Sequence, residues 1–212
     1  MRPRDAFGAV AALGIAAVCV RLGVWQLDRL AQRRARNAVL VSRLALPPLV
    51  VGRATLPDSA RQRRLIARGV FDFSREFVGP GRSFDGSPGV ALVTPLRLDD
   101  GSAVFVDRGW VPSPDARHVD QTRYRESDTA TVEGLGTDRY DVGPMPYPVL
   151  PFILQQTGTD AARGLPRRWP PPTLGNGPHL SYALQWFSFA LIILIGTGAL
   201  LRKGAATISD RF

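Results

Sequence analysis

The chain has very little of the side-chain chemistry that catalysis and metal binding need. It contains one cysteine, Cys19, and two histidines, His118 and His179. One cysteine excludes an internal disulfide and a cysteine-based zinc or iron–sulfur site, and two histidines exclude a three-histidine zinc centre in a monomer. The sequence also lacks the serine-hydrolase, zinc-protease, Walker and Rossmann motifs. We therefore expect no enzyme activity.

Charge is almost missing from two long segments near the chain ends. Residues 7–27 carry Arg21 as their only charge, and residues 182–201 carry none. About 20 apolar residues suffice to cross a bilayer as a helix, so each segment predicts a transmembrane helix. A cleaved signal peptide is the competing interpretation of the first segment, given Arg2 and Arg4. Its apolar run continues to Leu27, beyond the length of a typical signal sequence.

The flanks of these segments predict the orientation. Tyr182 and Trp186 form an aromatic interfacial anchor, whereas Arg202 and Lys203 follow the second segment as a positive stop. We expect a multi-pass protein of the cell (plasma) membrane with both termini cytoplasmic and the central domain extracytoplasmic. The predicted order is a cytoplasmic N-terminus (1–6), a transmembrane helix (7–27), a helical extension (28–46), a β-rich domain (47–165), a proline-rich linker (166–181), a transmembrane helix (182–201) and a cytoplasmic tail (202–212).

The segment between the apolar ends has strand chemistry. Six short β-rich runs are separated by turn residues, and Asp99-Asp100-Gly101 predicts a tight hairpin in which glycine supplies the positive φ. Residues 144–151 and 166–178 are dense in proline and predict loops. The fold class is therefore membrane α+β: two terminal transmembrane helices bracket one antiparallel sheet or partial barrel.

The basic balance of 27 Lys and Arg against 18 Asp and Glu does not indicate nucleic-acid binding. The arginines are spread along the middle of the chain instead of forming one stripe with interleaved aromatics, and a chain held in a membrane at both ends seldom meets DNA. Membrane lipid is the expected partner of these charges.

Two positions remain as candidate binding sites on their residues alone. His179 lies just before the second apolar helix and shares its expected face with Tyr182 and Trp186, an arrangement that suits an axial haem ligand or an interfacial, helix-capping histidine. Gly109-Trp110 follows a strand, where the tryptophan either forms a recognition surface or closes the core. His118 stands in a polar stretch and is expected at the surface.

Four motifs, taken in order, resemble the Surfeit locus protein 1 family of cytochrome c oxidase assembly factors. They are LGVWQLDRL at 22–30, GPGRSFDGSPGVALVTPL at 79–96, DGSAVFVDRGWVP at 100–112 and HLSYALQWF at 179–187. The resemblance implies two transmembrane helices, an outward domain and a role in maturing the haem A-containing oxidase subunit, with no turnover. Three departures stand out: Gly81 separates Pro80 from Arg82, Asp107 replaces the usual asparagine, and Gly177-Pro178 interrupts the pattern before His179.

Carried onto this sequence, the resemblance implies a set of site residues. His179 is expected to ligate haem A iron transiently, beside Tyr182 and Trp186, while Arg29 or Arg33 pairs with the propionates. Contacts with the cytochrome c oxidase catalytic subunit are expected at Trp25, Gln26, Arg108, Gly109 and Trp110. The alternative is a purely structural scaffold that holds oxidase subunits and binds no haem.

Overall fold

The computed structural model describes residues 3–139, 143–158 and 164–209. The chain divides into two compact units. The helix-pair unit comprises residues 1–39 and 174–212, and the barrel unit comprises residues 40–173. The first two and last three residues, which belong to the predicted cytoplasmic ends, lie outside the described residues.

The helix-pair unit is built on two long helices. Helix α1 runs from Pro3 to Ala45, so the predicted span and its extension form one helix, which ends before Pro47-Pro48. Helix α3 runs from His179 to Ser209 and begins three residues before the predicted span. Both helices are long and apolar enough to cross a membrane.

The two helices pack through a seam with a seven-residue repeat. On α3, Ala183 and Ala190 are buried seven residues apart. The ring of Phe187 lies against Gly23 of α1, where an added Cβ would stand 2.6 Å from the ring. Alternating steps of three and four residues keep one face of a helix on its partner, and small residues allow close approach. The α1 side of the seam comprises Ala16, Cys19, Gly23, Gln26 and Leu30.

The barrel unit is a sheet of seven strands with one short helix, α2, at Pro57–Ala60. The strands are β1 (Leu49–Val50), β2 (Arg64–Phe71), β3 (Phe77–Phe84), β4 (Ser87–Leu98), β5 (Ala103–Pro112), β6 (Thr129–Asp138) and β7 (Val149–Gln155). Their order in the sheet is β1-β2-β6-β7-β5-β4-β3. An additional β2–β4 pairing closes β2, β6, β7, β5 and β4 into a five-stranded barrel, flanked by β1 and β3.

The predicted antiparallel sheet or partial barrel is a closed five-stranded barrel, but two strand pairs of the sheet are not antiparallel. All six predicted β-rich runs form strands, and the hairpin at Asp99–Gly101 forms with Gly101 at φ +78°. However, β5 and β7 are parallel. Strand direction cannot alternate around a closed ring of five, so one neighbouring pair must be parallel. The short pair β1–β2 is also parallel.

Proline placement differs from the prediction at one position. Residues 144–151 were expected to form a loop, yet Pro151 lies inside β7. It is tolerated because the register between β5 and β7 shifts from Ala103–Val149 to Phe105–Ile153 around it. At this irregularity the sheet does not need a hydrogen bond from the backbone nitrogen of Pro151, which carries no hydrogen.

Two apolar clusters lie on opposite faces of the sheet. The larger fills the barrel and includes Leu65, Val106 and Leu154. The second lies on the outer face around Trp110 and Trp169. Its Trp169 comes from the strap, the name used here for residues 164–169, whose Arg167 forms an isolated antiparallel bridge with Trp110. The strap therefore covers part of the outer face of the barrel.

Candidate functional site

His179 at the start of α3 is held in one tautomer by α1. Its Nδ1 lies 2.9 Å from Oε1 of Gln26. Because a carbonyl oxygen only accepts hydrogen bonds, the neutral ring that fits this contact carries its proton on Nδ1 and donates it to Gln26. Nε2 then keeps its lone pair, as in a metal-binding histidine whose second nitrogen is fixed by an outer partner. The structure thus brings His179 and Gln26 together, although the two residues were predicted for different roles.

Gly177 keeps the Nε2 edge of the ring accessible. It has φ +68°, and an added Cβ would stand 3.4 Å from Cδ2 and 3.5 Å from Nε2 of His179. The following carbonyl, of Pro178, accepts from Tyr182 N at 3.1 Å and from Ser181 Oγ at 2.8 Å. The Gly-Pro pair that departs from the family pattern therefore turns the chain and starts the helix that carries His179.

Two α1 side chains fasten the chain leading into this turn. Arg33 Nε donates to the carbonyl of Gly175 at 2.9 Å, and Asn37 Nδ2 donates to the carbonyl of Leu174 at 2.9 Å. Sequence reasoning predicted Arg33 for propionates and missed Asn37. Its position four residues after Arg33, on the same helix face, is the signal that could have found it.

Arg29 is engaged elsewhere on α1. Its guanidinium lies 5.5 Å from the ring centroid of Trp25, and its Nη1 donates to Gln32 at 3.1 Å. Trp25 and Arg29 are both exposed. They form an aromatic–cation pair beside the seam, whereas Gln26 lies within it.

Tyr182 and Trp186 continue from His179 along α3. Tyr182 is 47% exposed, and Trp186 is half-buried. Trp186 packs edge-on against Phe189, with ring centroids 5.9 Å apart. The predicted part of Tyr182 and Trp186 in cofactor binding stays a prediction.

Arg108, predicted for partner binding, is fully buried in the barrel unit, and its predicted contact with an oxidase subunit stays a prediction. Its guanidinium pairs with Glu76 at 2.6 Å and Glu126 at 2.9 Å. It also donates to Thr94 Oγ1 at 2.9 Å and to the carbonyl of Tyr124 at 2.7 Å. A buried arginine needs such partners because an unpaired charge is very costly in the interior. Arg108 therefore organises the fold.

Gly109 and Trp110, also predicted for partner binding, are covered by the strap. Gly109 has φ +122°, and an added Cβ would overlap the carbonyl of Arg167. The backbones of Trp110 and Arg167 exchange hydrogen bonds of 2.8 and 2.7 Å. The Trp110 side chain is 6% exposed and donates to the carbonyl of Arg82 at 3.1 Å. Of the two sequence interpretations, core closure is the one that describes Trp110.

Asp107 and Trp169 form a buried polar junction that sequence reasoning missed. Trp169 Nε1 donates to Asp107 Oδ1 at 2.7 Å, Gly109 N donates to the same oxygen at 3.1 Å, and Gln155 Nε2 donates to Oδ2 at 3.2 Å. Burial raises the pKa of the Asp107 carboxyl against the opposing effect of these donors. The Arg-Arg-Trp sequence at 167–169, inside a segment predicted as a loop, was the available signal.

The second histidine, His118, belongs neither to the His179–Gln26 contact nor to the Asp107–Trp169 junction. His118 is exposed and its Nδ1 lies 2.5 Å from Asp115 Oδ2. Throughout the described ranges, no group of three or more His, Cys, Asp or Glu side chains is arranged to hold a metal ion.

The SURF1 family model matches residues 13–191. A 107-residue segment is 34% identical to the "Cytochrome oxidase assembly protein SHY1" of Saccharomyces cerevisiae and covers 46% of this chain and 27% of the yeast protein. A "SURF1-like protein" of Monosiga brevicollis is 27% identical over 233 residues, or 92% of this chain and 87% of that protein.

An uncharacterised SURF1-like protein of Mycobacterium tuberculosis is 26% identical over 211 residues, or 84% of this chain and 75% of its own length. The segment shared with the yeast protein thus spans about a quarter of that protein, while the other two align along most of their lengths. The family model covers α1 from residue 13, the whole barrel unit and α3 as far as residue 191. The chain belongs to the SURF1 family.

Proposed function

We propose that this chain is an assembly factor for haem-copper cytochrome c oxidase that holds haem A for the catalytic subunit. Family membership and the name of the yeast relative support a part in oxidase assembly. The observation that carries the haem A proposal is the hydrogen bond from His179 to Gln26, which leaves Nε2 free to accept a metal bond.

The proposal includes a membrane topology. Both helices cross the plasma membrane, both chain ends are cytoplasmic, and the barrel faces outward. The apolar lengths of α1 and α3 support the crossing, and the basic residues after Leu201 support a cytoplasmic C-terminus. On this topology His179 stands at the outward membrane surface, because it precedes the apolar part of α3.

The residues around His179 fit a haem ligand. Haem iron takes a nitrogen ligand such as a neutral imidazole. Gln26 fixes the imidazole tautomer and orientation, and Gly177 leaves the ring edge open. Arg33 is the better of the two arginines for a propionate, because it lies seven residues after Gln26 on the same face of α1 and its Nη atoms are not used on Gly175. Arg29 is engaged with Trp25 on a neighbouring face.

A spectral titration tests the proposal. Purified full-length protein is mixed with haem A, and the Soret band and the haem retained on gel filtration are recorded. We expect a shifted band and retention that His179→Ala abolishes. His118→Ala, which removes the other, exposed histidine, is the matched control and retains wild-type binding. Identical spectra and retention for wild type and His179→Ala would contradict haem ligation.

The rival function is a scaffold that contacts oxidase subunits without binding haem. The burial of Arg108 and Trp110 weakens the version that places contacts there. The two functions differ in cells: a scaffold without haem supports oxidase assembly equally well with His179→Ala, whereas a haem-holding factor does not.

A further inference from the structure

A basic stripe runs along the side of α1 that faces away from the helix seam. The stripe consists of Arg21, Trp25, Arg29 and Arg36, all of them exposed. At about 100° per residue, these positions fall within about 80° of one another around the helix. The seam is centred about 135° round the helix from the centre of the stripe. The stripe therefore faces away from the partner helix.

The stripe crosses the level at which the apolar segment of α1 ends. Arg21 lies six residues before Leu27, about 9 Å deeper at 1.5 Å per residue, and Arg29 lies two residues beyond Leu27. Trp25 is halfway between them, at the depth where tryptophans are enriched in membrane proteins. Arg21 has no ion-pair partner among the residues that the structure describes. A lone charge at that depth is costly unless its side chain reaches an anionic group at the surface.

We propose that Arg21 and Arg29 bind the phosphate of an anionic phospholipid in the outward leaflet. This inference rests on the membrane crossing in the proposed function. The two residues are two helical turns apart, about 12 Å along the axis, so the long side chains reach one phosphate from below and above. Arg29 already stacks over Trp25 at 5.5 Å, which directs its guanidinium along the stripe.

The local charge selects an anionic lipid over a zwitterionic one. Residues 21–36 contain five arginines and a single acid, Asp28. A choline headgroup would bring its own cation into this positive field, whereas a phosphatidylglycerol headgroup carries only the negative charge. A soluble anion does not reach Arg21 beneath the level of Leu27, so the ligand is a lipid.

The test measures lipid retention by the purified full-length chain. Delipidated protein in detergent is titrated with phosphatidylglycerol or phosphatidylcholine of identical acyl chains, and bound lipid is counted by native mass spectrometry. We expect preferential retention of phosphatidylglycerol and about a tenfold loss of its affinity in Arg21→Gln and in Arg29→Gln. Arg34→Gln is the control, because Arg34 is exposed on the same helix but about 140° from Arg29.

Three results would overturn the lipid site: equal retention of the two lipids, an equal loss in Arg34→Gln, or displacement of lipid by inorganic phosphate at constant ionic strength. Alkaline carbonate extraction separates this failure from that of the proposed function. Release of the wild-type chain from vesicles would overturn both the membrane crossing and the lipid site. Resistance to extraction without a phosphatidylglycerol preference would contradict the lipid site alone, and the haem titration with His179→Ala would be unaffected.

Discussion

Arginine has opposite surroundings in the barrel unit and in the helix-pair unit. In the barrel, Arg108 is enclosed with Glu76 and Glu126 and has no exposed surface. On α1, Arg21 and Arg29 are exposed, and neither has a carboxylate partner among the described residues. Arginine therefore stabilises the fold in the barrel unit, whereas on α1 it is available to a ligand. Four substitutions test the contacts that stabilise each of the two units.

Arg108→Met is expected to have the largest effect. It leaves Glu76, whose side chain is 2% exposed, without its cation, and removing one partner of a buried ion pair costs about 3–5 kcal/mol of stability. Denaturant unfolding followed by tryptophan fluorescence measures the loss. Arg123→Met is the control, since its pair with Asp120 is exposed to solvent and therefore contributes little to stability. Equal losses in the two variants would refute the distinction between buried and exposed arginines.

Gly109→Ala is expected to loosen the strap. The added methyl group would overlap the carbonyl of Arg167, and the φ of +122° at this position is unfavourable for alanine. Backbone strain of this kind costs about 1–3 kcal/mol. Tryptic cleavage at Arg167 and Arg168 should accelerate. Gly86→Ala isolates the strain, because Gly86 has φ +80° but no atom within 4 Å of an added Cβ. Unchanged cleavage in Gly109→Ala would show that this contact does not hold the strap.

Gly23→Ala is expected to push the two helices apart. Its Cβ would stand 2.6 Å from the Phe187 ring, and overpacking of this kind costs about 1–3 kcal/mol. The midpoint of thermal unfolding in detergent, followed by helical circular dichroism, should fall. Gly14→Ala should not lower it, because nothing lies within 4 Å of that position. Adding Phe187→Leu should restore part of the loss. An unchanged midpoint in Gly23→Ala, or a loss that Phe187→Leu does not relieve, would contradict the predicted contact.

Asp107→Asn is expected to have the smallest effect and a characteristic pH dependence. Burial raises the folded-state pKa of Asp107 above the ordinary value of 3.8, so the native state binds more protons than the unfolded state. Stability therefore falls as pH rises from about 3.8 through the folded-state pKa. Asparagine still accepts from Trp169 and does not titrate, so this fall disappears. An unaltered pH profile in Asp107→Asn would assign the dependence to other groups.

The broad architecture follows from the sequence because it depends on local patterns. Long apolar runs define α1 and α3, and alternating runs with turn residues define β2 to β7. Barrel closure could not be read from the chain, because it depends on the pairing of β2 with β4, whose partners are far apart in sequence. The parallel β5–β7 pair follows only once the number of strands in the ring is known.

The candidate site was predictable in its residue types but not in its contacts. His179 was singled out by its position before an apolar helix, whereas its partner Gln26 lies 153 residues away. The burial of Arg108 and Trp110 could not be predicted, because an Arg-Gly-Trp motif does not reveal whether its side chains are buried. Their burial depends on Glu76, Glu126 and the strap, which long-range folding brings together.

The central claim is that His179 serves oxidase assembly through haem A. The most direct measurement is the haem a absorbance of membranes from cells that lack this protein and are supplied with wild type, His179→Ala or His118→Ala at equal abundance. We expect low haem a absorbance in membranes of cells that lack the protein, recovery with wild type and with His118→Ala, and no recovery with His179→Ala. Full recovery with His179→Ala would contradict it.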